Sequence, residues 1–320
     1  MTTTKPGSST SGAGLGLALL SAASFSTSGS FARALSNAGW SPGAAVAARV
    51  TAAAAMLAIP AILAMRGRWG ALRQNRTMIV LYGLVAVAGG QVCFFHALEH
   101  LAVGVALLFE YLGTVLVVAW MWLRHGHRPR RLTVIGSGVA LLGLALVLDL
   151  TGDNHLDLVG VLWALGGAVG LATYFVLSGA EDSDVPPVAL ASAGMTLGAA
   201  ALFGLGALGA LPLTARFAAV ELGGRQVSWL VPVVGLSLLG AVIAYVAGIA
   251  ATRRLGPRLA SFVGLTEVLF AVLFAWLFLG ELPTGMQLTG GALILAGVAL
   301  IRADDERPAA VESLAIQPAM

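Results

Sequence analysis

Charge is scarce in this chain. Of its 320 residues only 10% are Asp, Glu, Lys or Arg, against roughly 25% in soluble domains. Lysine is reduced to Lys5 and cysteine to Cys93. A soluble enzyme of this length needs a charged surface that these residues do not supply. One cysteine excludes a disulfide scaffold and a Cys-based zinc site. What the chain has instead is 58% hydrophobic residues and a mean hydropathy of +0.90, too apolar for intrinsic disorder. The composition is that of an integral membrane protein.

A helix needs roughly 20 mostly apolar residues to cross the hydrocarbon layer. Stretches of that kind fall at 13–35, 42–65, 78–99, 102–123, 132–150, 157–179, 186–211, 228–251, 259–279 and 285–302, ten in all. They are apolar all round without period-2 alternation, which argues for helices over a β-barrel. The fold class expected is therefore an all-α integral membrane protein with ten transmembrane helices. The first stretch runs on through Phe31 without a small-x-small cleavage site, so it reads as a retained span and not as a signal peptide.

Arginine placement sets the orientation. With the N-terminus inside, the cytoplasmic segments receive Lys5, the group Arg66 to Arg76, the group Arg124 to Arg131, then Arg253, Arg254, Arg258, Arg302 and Arg307, fourteen of the 18 basic residues. Both termini are expected to be cytoplasmic. The basic balance reports topology here and does not point to nucleic acid.

The halves resemble each other. ALLFEYLGTVLVVAWMW (106–122) and VGLTEVLFAVLFAWLF (263–278) each carry a Glu followed by an apolar run to Ala-Trp. Gly136 and Gly143 recur as Gly290 and Gly297. The unit is five spans, 13–150 and 156–303, between an N-terminal tail at 1–12 and a C-terminal tail at 304–320. Five is odd, so the second copy enters the membrane inverted, the arrangement of alternating-access carriers that hold substrate near the midplane.

On these features the sequence resembles the drug/metabolite transporter superfamily and within it the EamA family of ten-span bacterial carriers, over about residues 13–303. The stretch LASFVGLTEVLFAVLFAWLFLGELPTGMQLTGGALILAGVAL (259–300) is similar to the family hallmark, a span ending in a Leu-Gly-Glu turn, here Leu279-Gly280-Glu281, before a Gly-rich last span. The first copy departs from it, with Arg124-His125-Gly126-His127 at that turn. The resemblance implies a multi-pass carrier of the bacterial inner membrane that exports amino acids, related metabolites or toxic organic compounds. An importer or exchanger of the same superfamily is the main alternative.

A charge at the bilayer centre costs at least roughly 2.5–3.5 kcal/mol, so an intramembrane ionisable residue is a functional candidate. Three stand out: Glu267, Glu110 and Arg49. Glu267 lies about 12 Å deep at ~1.5 Å per residue. Arg49 and Glu110 fall at a similar level and form an expected buried pair, which serves structure as readily as binding of a zwitterion. Glu267 has no obvious counter-ion, and an unpaired carboxyl in low dielectric suits a proton-coupled step. Tyr111, Gln91, Trp163, Tyr174 and Tyr245 are candidate cavity residues, with Phe25, Ser26, Ser28 and Phe95 beside them; taken singly, packing explains each as readily. Trp40, Trp69, Trp120, Trp122 and Trp229 read as an interfacial belt.

His96 and His100 share a helix face, with Glu99 between them, but two imidazoles and one carboxylate on a helix end are too few to assign a metal site. No cofactor is expected. The Gly pairs follow no strand, so they read as close helix contacts and not as nucleotide loops. No HExxH or paired intramembrane Asp motif is present, and no ligand domain or selectivity ring is visible. An intramembrane enzyme and a channel therefore rank below a carrier. The partners expected are a small-molecule substrate and the lipid bilayer, with a homodimer left open and no nucleic acid.

Overall fold

The computed structural model describes residues 9–101, 103–126, 128–149, 157–180, 183–274, 276–277 and 282–315. The Leu279-Gly280-Glu281 turn and His127 lie outside them. The described helices fall into ten runs. Span 1 comprises Ser9–Ser26 and Ser28–Asn37, span 2 is Pro42–Ala64, and span 3 joins Arg76–Leu81 to Gly90–Leu98 through a π-helix, Tyr82–Gly89. Span 4 comprises Val103–Tyr111 and Gly113–His125; spans 5, 6 and 7 are Arg131–Val147, Leu158–Ser178 and Pro187–Ala207.

Span 8 starts at Leu230–Ser237, passes through a second π-helix, Leu238–Ile243, and continues in the helix Ala244–Gly264. That helix is broken at Gly256, whose φ of 79° and ψ of 156° only glycine adopts at low cost. Pro257 follows it and restricts the preceding residue further. Span 9 therefore begins directly at Pro257, without the short loop expected around residues 252–258, and runs on into Thr266–Phe274. Span 10, Gly285–Ala315, continues as helix beyond residue 303, where a tail was expected. Asp304 is buried there and accepts a hydrogen bond from the Thr133 hydroxyl of span 5.

Span 5 packs most extensively on span 10, span 1 on Ala244–Gly264, span 2 on span 7, and span 6 on Gly90–Leu98 of span 3. Exchanging spans 1–5 with 6–10 maps the 1–8 contact onto 6–3 and maps 2–7 and 5–10 onto themselves, as two-fold related repeats require. The inversion is visible in one seam. A Cβ on Gly136 would meet the carbonyl of Gly297 at 2.8 Å, and one on Gly143 would meet that of Gly290 at 2.5 Å. As the first number rises the second falls, so the two helices run antiparallel with their backbones in contact.

Irregularities also repeat. The two π-helices occupy matching places in spans 3 and 8. Spans 4 and 9 break at matching places too. The Leu112 N–H bonds to the Phe109 carbonyl at 3.2 Å, and the Leu265 N–H bonds to the Phe262 carbonyl at 3.1 Å. A broken helix frees carbonyls that lipid cannot satisfy. The Thr114 hydroxyl donates to the Tyr111 carbonyl at 2.9 Å, and the Thr266 hydroxyl to the Val263 carbonyl at 2.7 Å.

One element was not expected of an all-α chain. Val220–Leu222 and Arg225–Val227 pair antiparallel through Gly223 and Gly224, with φ of 60° and 74°. Two consecutive positive-φ residues are what a tight type I′ hairpin demands. The hairpin belongs to a loop that folds over the junction of spans 1 and 2. Trp40, expected at the interface, is only 5% exposed and donates its indole N–H to the Arg216 carbonyl at 2.7 Å. Phe217 and Trp229 pack around it, with ring centroids 5.7 and 5.9 Å away. Trp69, Trp120 and Trp122 are exposed, as belt residues are.

Asp157 caps span 6, accepting from the Val159 N–H at 2.8 Å, and pairs with His100 Nδ1 at 3.0 Å. The capping bond first, and then the imidazole, hold this carboxyl below its ordinary range. A depressed carboxylate contributes stability above the unfolded-state value and loses it as pH falls through the folded one. Comparing thermal unfolding of wild type and Asp157→Asn across pH, the difference is expected to be constant near neutrality and to shrink only below the usual carboxylate range.

Candidate functional site

A cavity of about 230 Å³ lies between the two repeats. Its wall comes from spans 1, 3 and 4 on one side and 6, 8 and 9 on the other, with Arg49 reaching in from span 2. The helix breaks at Leu112 and Leu265 place their neighbours Glu110 and Glu267 on this wall. Discontinuous helices near the midplane are where carriers with inverted repeats hold their ligands.

Arg49 is 9% exposed. Its Nη2–H donates to the Gly240 carbonyl, in the π-helix of span 8, and its guanidinium sits 5.9 Å from the centre of the Phe25 ring. Its Nε–H has no partner. The expected pair with Glu110 is not formed: among the described residues the close ion pairs include His96–Glu99 and His100–Asp157, and Arg49 is anchored by a backbone carbonyl instead. The reason is reach. The carbonyl in the widened π-turn lies beside the guanidinium, while Glu110 lies against Gly167 of span 6, whose missing Cβ leaves room 3.5 Å from the Glu110 Cγ.

Glu267 carries its carboxyl opposite the Tyr111 hydroxyl and within electrostatic reach of both Arg49 and Glu110. The cavity thus holds one cation and two carboxyl groups that are not locked into a salt bridge with it. Aromatic hydroxyls fill the space between. The Tyr245 ring centre is 5.2 Å from that of Phe25 and 5.4 Å from that of Tyr174. The hydroxyls of Tyr174 and Ser28 are buried without a hydrogen-bond partner. Unpaired buried donors cost roughly 1–3 kcal/mol each, so these two hydroxyls and the Arg49 Nε–H, all on the cavity lining, are poised to receive a ligand.

Of the residues expected here, Glu267, Glu110, Arg49, Tyr111, Gln91, Tyr174 and Tyr245 line the cavity, as do Phe25 and Ser28. Trp163 does not. Its ring stacks on His96 at 4.7 Å, away from the cavity and partly exposed, because its position on span 6 faces the C-terminal end of span 3. Phe95 packs against the hydrophobic core beside the cavity, and Ser26 bonds its own helix at Ala23. Sequence reading missed Phe94, Ser21, Thr252 and Ser261, all of which line the wall. Small hydroxyls in apolar helices carry no periodic signal that would single them out.

The model of the EamA-like transporter family matches twice, over residues 12–149 and 158–303. Similar proteins include the threonine/homoserine exporter RhtA of Salmonella typhimurium, 27% identical over 70% of each chain. An uncharacterized transporter of Archaeoglobus fulgidus is 28% identical over 71% of this chain and 76% of its own. A solved structure described as a crystal structure of a protein superposes with a TM-score of 0.73 at 23% identity, over 92% of this chain and 98% of the other, a likeness of fold. Two matches that take in both halves place the chain: it belongs to the EamA-like transporter family.

Proposed function

We propose that the protein is a secondary active exporter of small zwitterionic metabolites, amino acids or compounds of that size, across the bacterial cytoplasmic membrane. The observation that carries this reading is the cavity at the seam of two inverted halves, lined by Arg49, Glu267 and Glu110, with Glu267 in electrostatic reach of the other two and no salt bridge among the three. A carboxylate on the substrate meets Arg49 Nε–H, and an ammonium meets the two carboxyls. About 230 Å³ falls below the ~300–1,000 Å³ of drug-sized pockets, which favours a small metabolite over a bulky toxic compound. The name of the RhtA relatives, threonine/homoserine exporter, supports the same class.

Rocking of one repeat against the other exposes the cavity to each side in turn, with the helix breaks and π-turns as the places that bend. Glu267 and Glu110 exchange a proton in that cycle. The basic end of the bundle is cytoplasmic, with both termini, by the placement of Arg and Lys.

Counterflow of labelled threonine in proteoliposomes tests the reading: saturable exchange is expected of a carrier, and conductance without saturation would reject it. In the same assay Arg49→Gln is expected to raise KM at least about 30-fold, since truncating one member of a buried charge pair costs roughly 2–5 kcal/mol. An unchanged KM removes Arg49 from the binding site.

A further inference from the structure

Beyond the cavity floor, toward the basic end, three polar side chains from spans 3, 6 and 8 meet without partners. They are the Tyr82 hydroxyl, the Ser178 hydroxyl and Arg253 Nη2. Tyr82 and Ser178 are both fully buried. The Tyr82 hydroxyl faces the Ser178 hydroxyl and the Arg253 guanidinium. Arg253 Nε–H donates to the Ser178 carbonyl at 3.4 Å, which ties span 8 to the end of span 6, while Nη2 has no hydrogen-bond partner.

The group adjoins the cavity. Thr252 and Tyr174 line the cavity floor, Arg253 is the next residue after the first, Ser178 lies one turn beyond the second, and the Tyr82 ring centre is 6.0 Å from that of Tyr174. Tyr82 also opens the π-helix of span 3. π-helical segments inside α-helices are rare and frequently fall at functional sites.

All three groups donate hydrogen bonds, and one of them carries a fixed positive charge. Leaving each unpaired in the protein interior is unfavourable, and one anionic acceptor satisfies them together. We propose that Tyr82, Ser178 and Arg253 form an entry subsite for a carboxylate at the basic end of the cavity. Resting on the carrier reading above, the subsite receives the carboxylate of an arriving substrate before it passes to Arg49. It draws on both repeats, span 3 from the first and spans 6 and 8 from the second, so rocking of the halves dismantles it and releases the carboxylate inward.

Two experiments on the purified full-length protein test the subsite. In proteoliposomes of defined sidedness, Arg253→Gln is expected to raise the KM for threonine about tenfold or more from the basic side only, with KM from the opposite side unchanged. Threoninamide, which lacks the carboxylate, is expected to show no side-specific change. An equal change from both sides, or none, overturns the proposal.

The second readout does not depend on transport. Acetate is expected to raise the thermal unfolding midpoint of wild type and of Arg49→Gln, and to do so far less in Arg253→Gln and Tyr82→Phe. The Tyr82 variant removes one hydroxyl and keeps the ring, so it serves if the arginine variant fails to fold. Equal stabilisation by chloride at the same ionic strength assigns the site to a free inorganic anion and overturns the carboxylate assignment, as does no shift with acetate. If threonine is not transported while acetate still stabilises through Arg253, the substrate reading fails and the subsite stands.

Discussion

Glu267→Gln is expected to abolish the substrate gradient that a pH gradient sustains. One proton exchanged per substrate across one pH unit carries about 1.4 kcal/mol, enough for a tenfold substrate gradient. Wild-type proteoliposomes under such a gradient therefore approach a tenfold accumulation ratio. Gln keeps the size of the side chain and its place opposite Tyr111 but cannot exchange a proton, so the ratio in the variant falls to about one. Gradient-free counterflow is expected to survive in Glu267→Gln with a raised KM, because rocking does not require that proton while the ammonium keeps only the Glu110 carboxyl. Glu110→Gln lowers the ratio in the same assay, since its carboxyl shares the cavity and lies within electrostatic reach of Glu267. If gradient-driven transport persists intact in both variants, the coupling role is wrong.

The second large effect concerns the seam between spans 5 and 10. A Cβ on Gly143 would stand 2.5 Å from the Gly290 carbonyl oxygen and 2.7 Å from the Ile294 amide nitrogen. Both are backbone atoms, so relief requires the helices to separate. Overpacking of this kind costs roughly 1–3 kcal/mol per site. Gly290→Ala meets the same crossing from the other side, 2.6 Å from the Gly143 carbonyl. The two substitutions share one contact, so their effects are expected to combine non-additively. Gly138 provides the control on the same helix, because nothing lies within 4 Å of its added Cβ. Gly138→Ala is expected to leave the midpoint of thermal unfolding unchanged or to raise it slightly, as Ala is the better helix former by roughly 0.5–1 kcal/mol. Equal losses in Gly138→Ala and Gly143→Ala would show that the seam is not what the glycines serve.

Much of this architecture was legible in the sequence. Spans are set by runs of apolar residues against a hydrocarbon thickness, and that criterion found all ten. It was least accurate where spans 8 and 9 meet, because Gly256-Pro257 turns the chain without polar residues to mark a loop. The recurrence of Gly136 and Gly143 as Gly290 and Gly297 revealed the repeat, and the same four residues turn out to form its contact. Glu110, Glu267 and Arg49 were legible because a charge in an apolar run has few reasons to be there.

Which residues those charges meet was not legible. Helices that are apolar on every side give no face, so their rotation comes only from packing. That is why Arg49 bonds the Gly240 carbonyl and not Glu110, and why Trp163 turns toward His96. Arg253 was hidden for a different reason. It was counted only among the basic residues of a cytoplasmic segment, although it lies within a helix whose break comes three residues later. The hairpin at Gly223-Gly224 was not legible, because in a chain read for apolar helices the flanking strands of three residues were too short to register.

The most direct test of the account is the sidedness of the cavity itself. In a Cys93→Ser background, Gln91→Cys places one thiol on the cavity wall, to be probed with a membrane-impermeant thiol reagent from either face of oriented vesicles. Alternating access predicts labelling from one face at rest, with the reactive face shifting as substrate is added from the other side. A thiol that reacts from both faces at once, or from the same face under every condition, would contradict it.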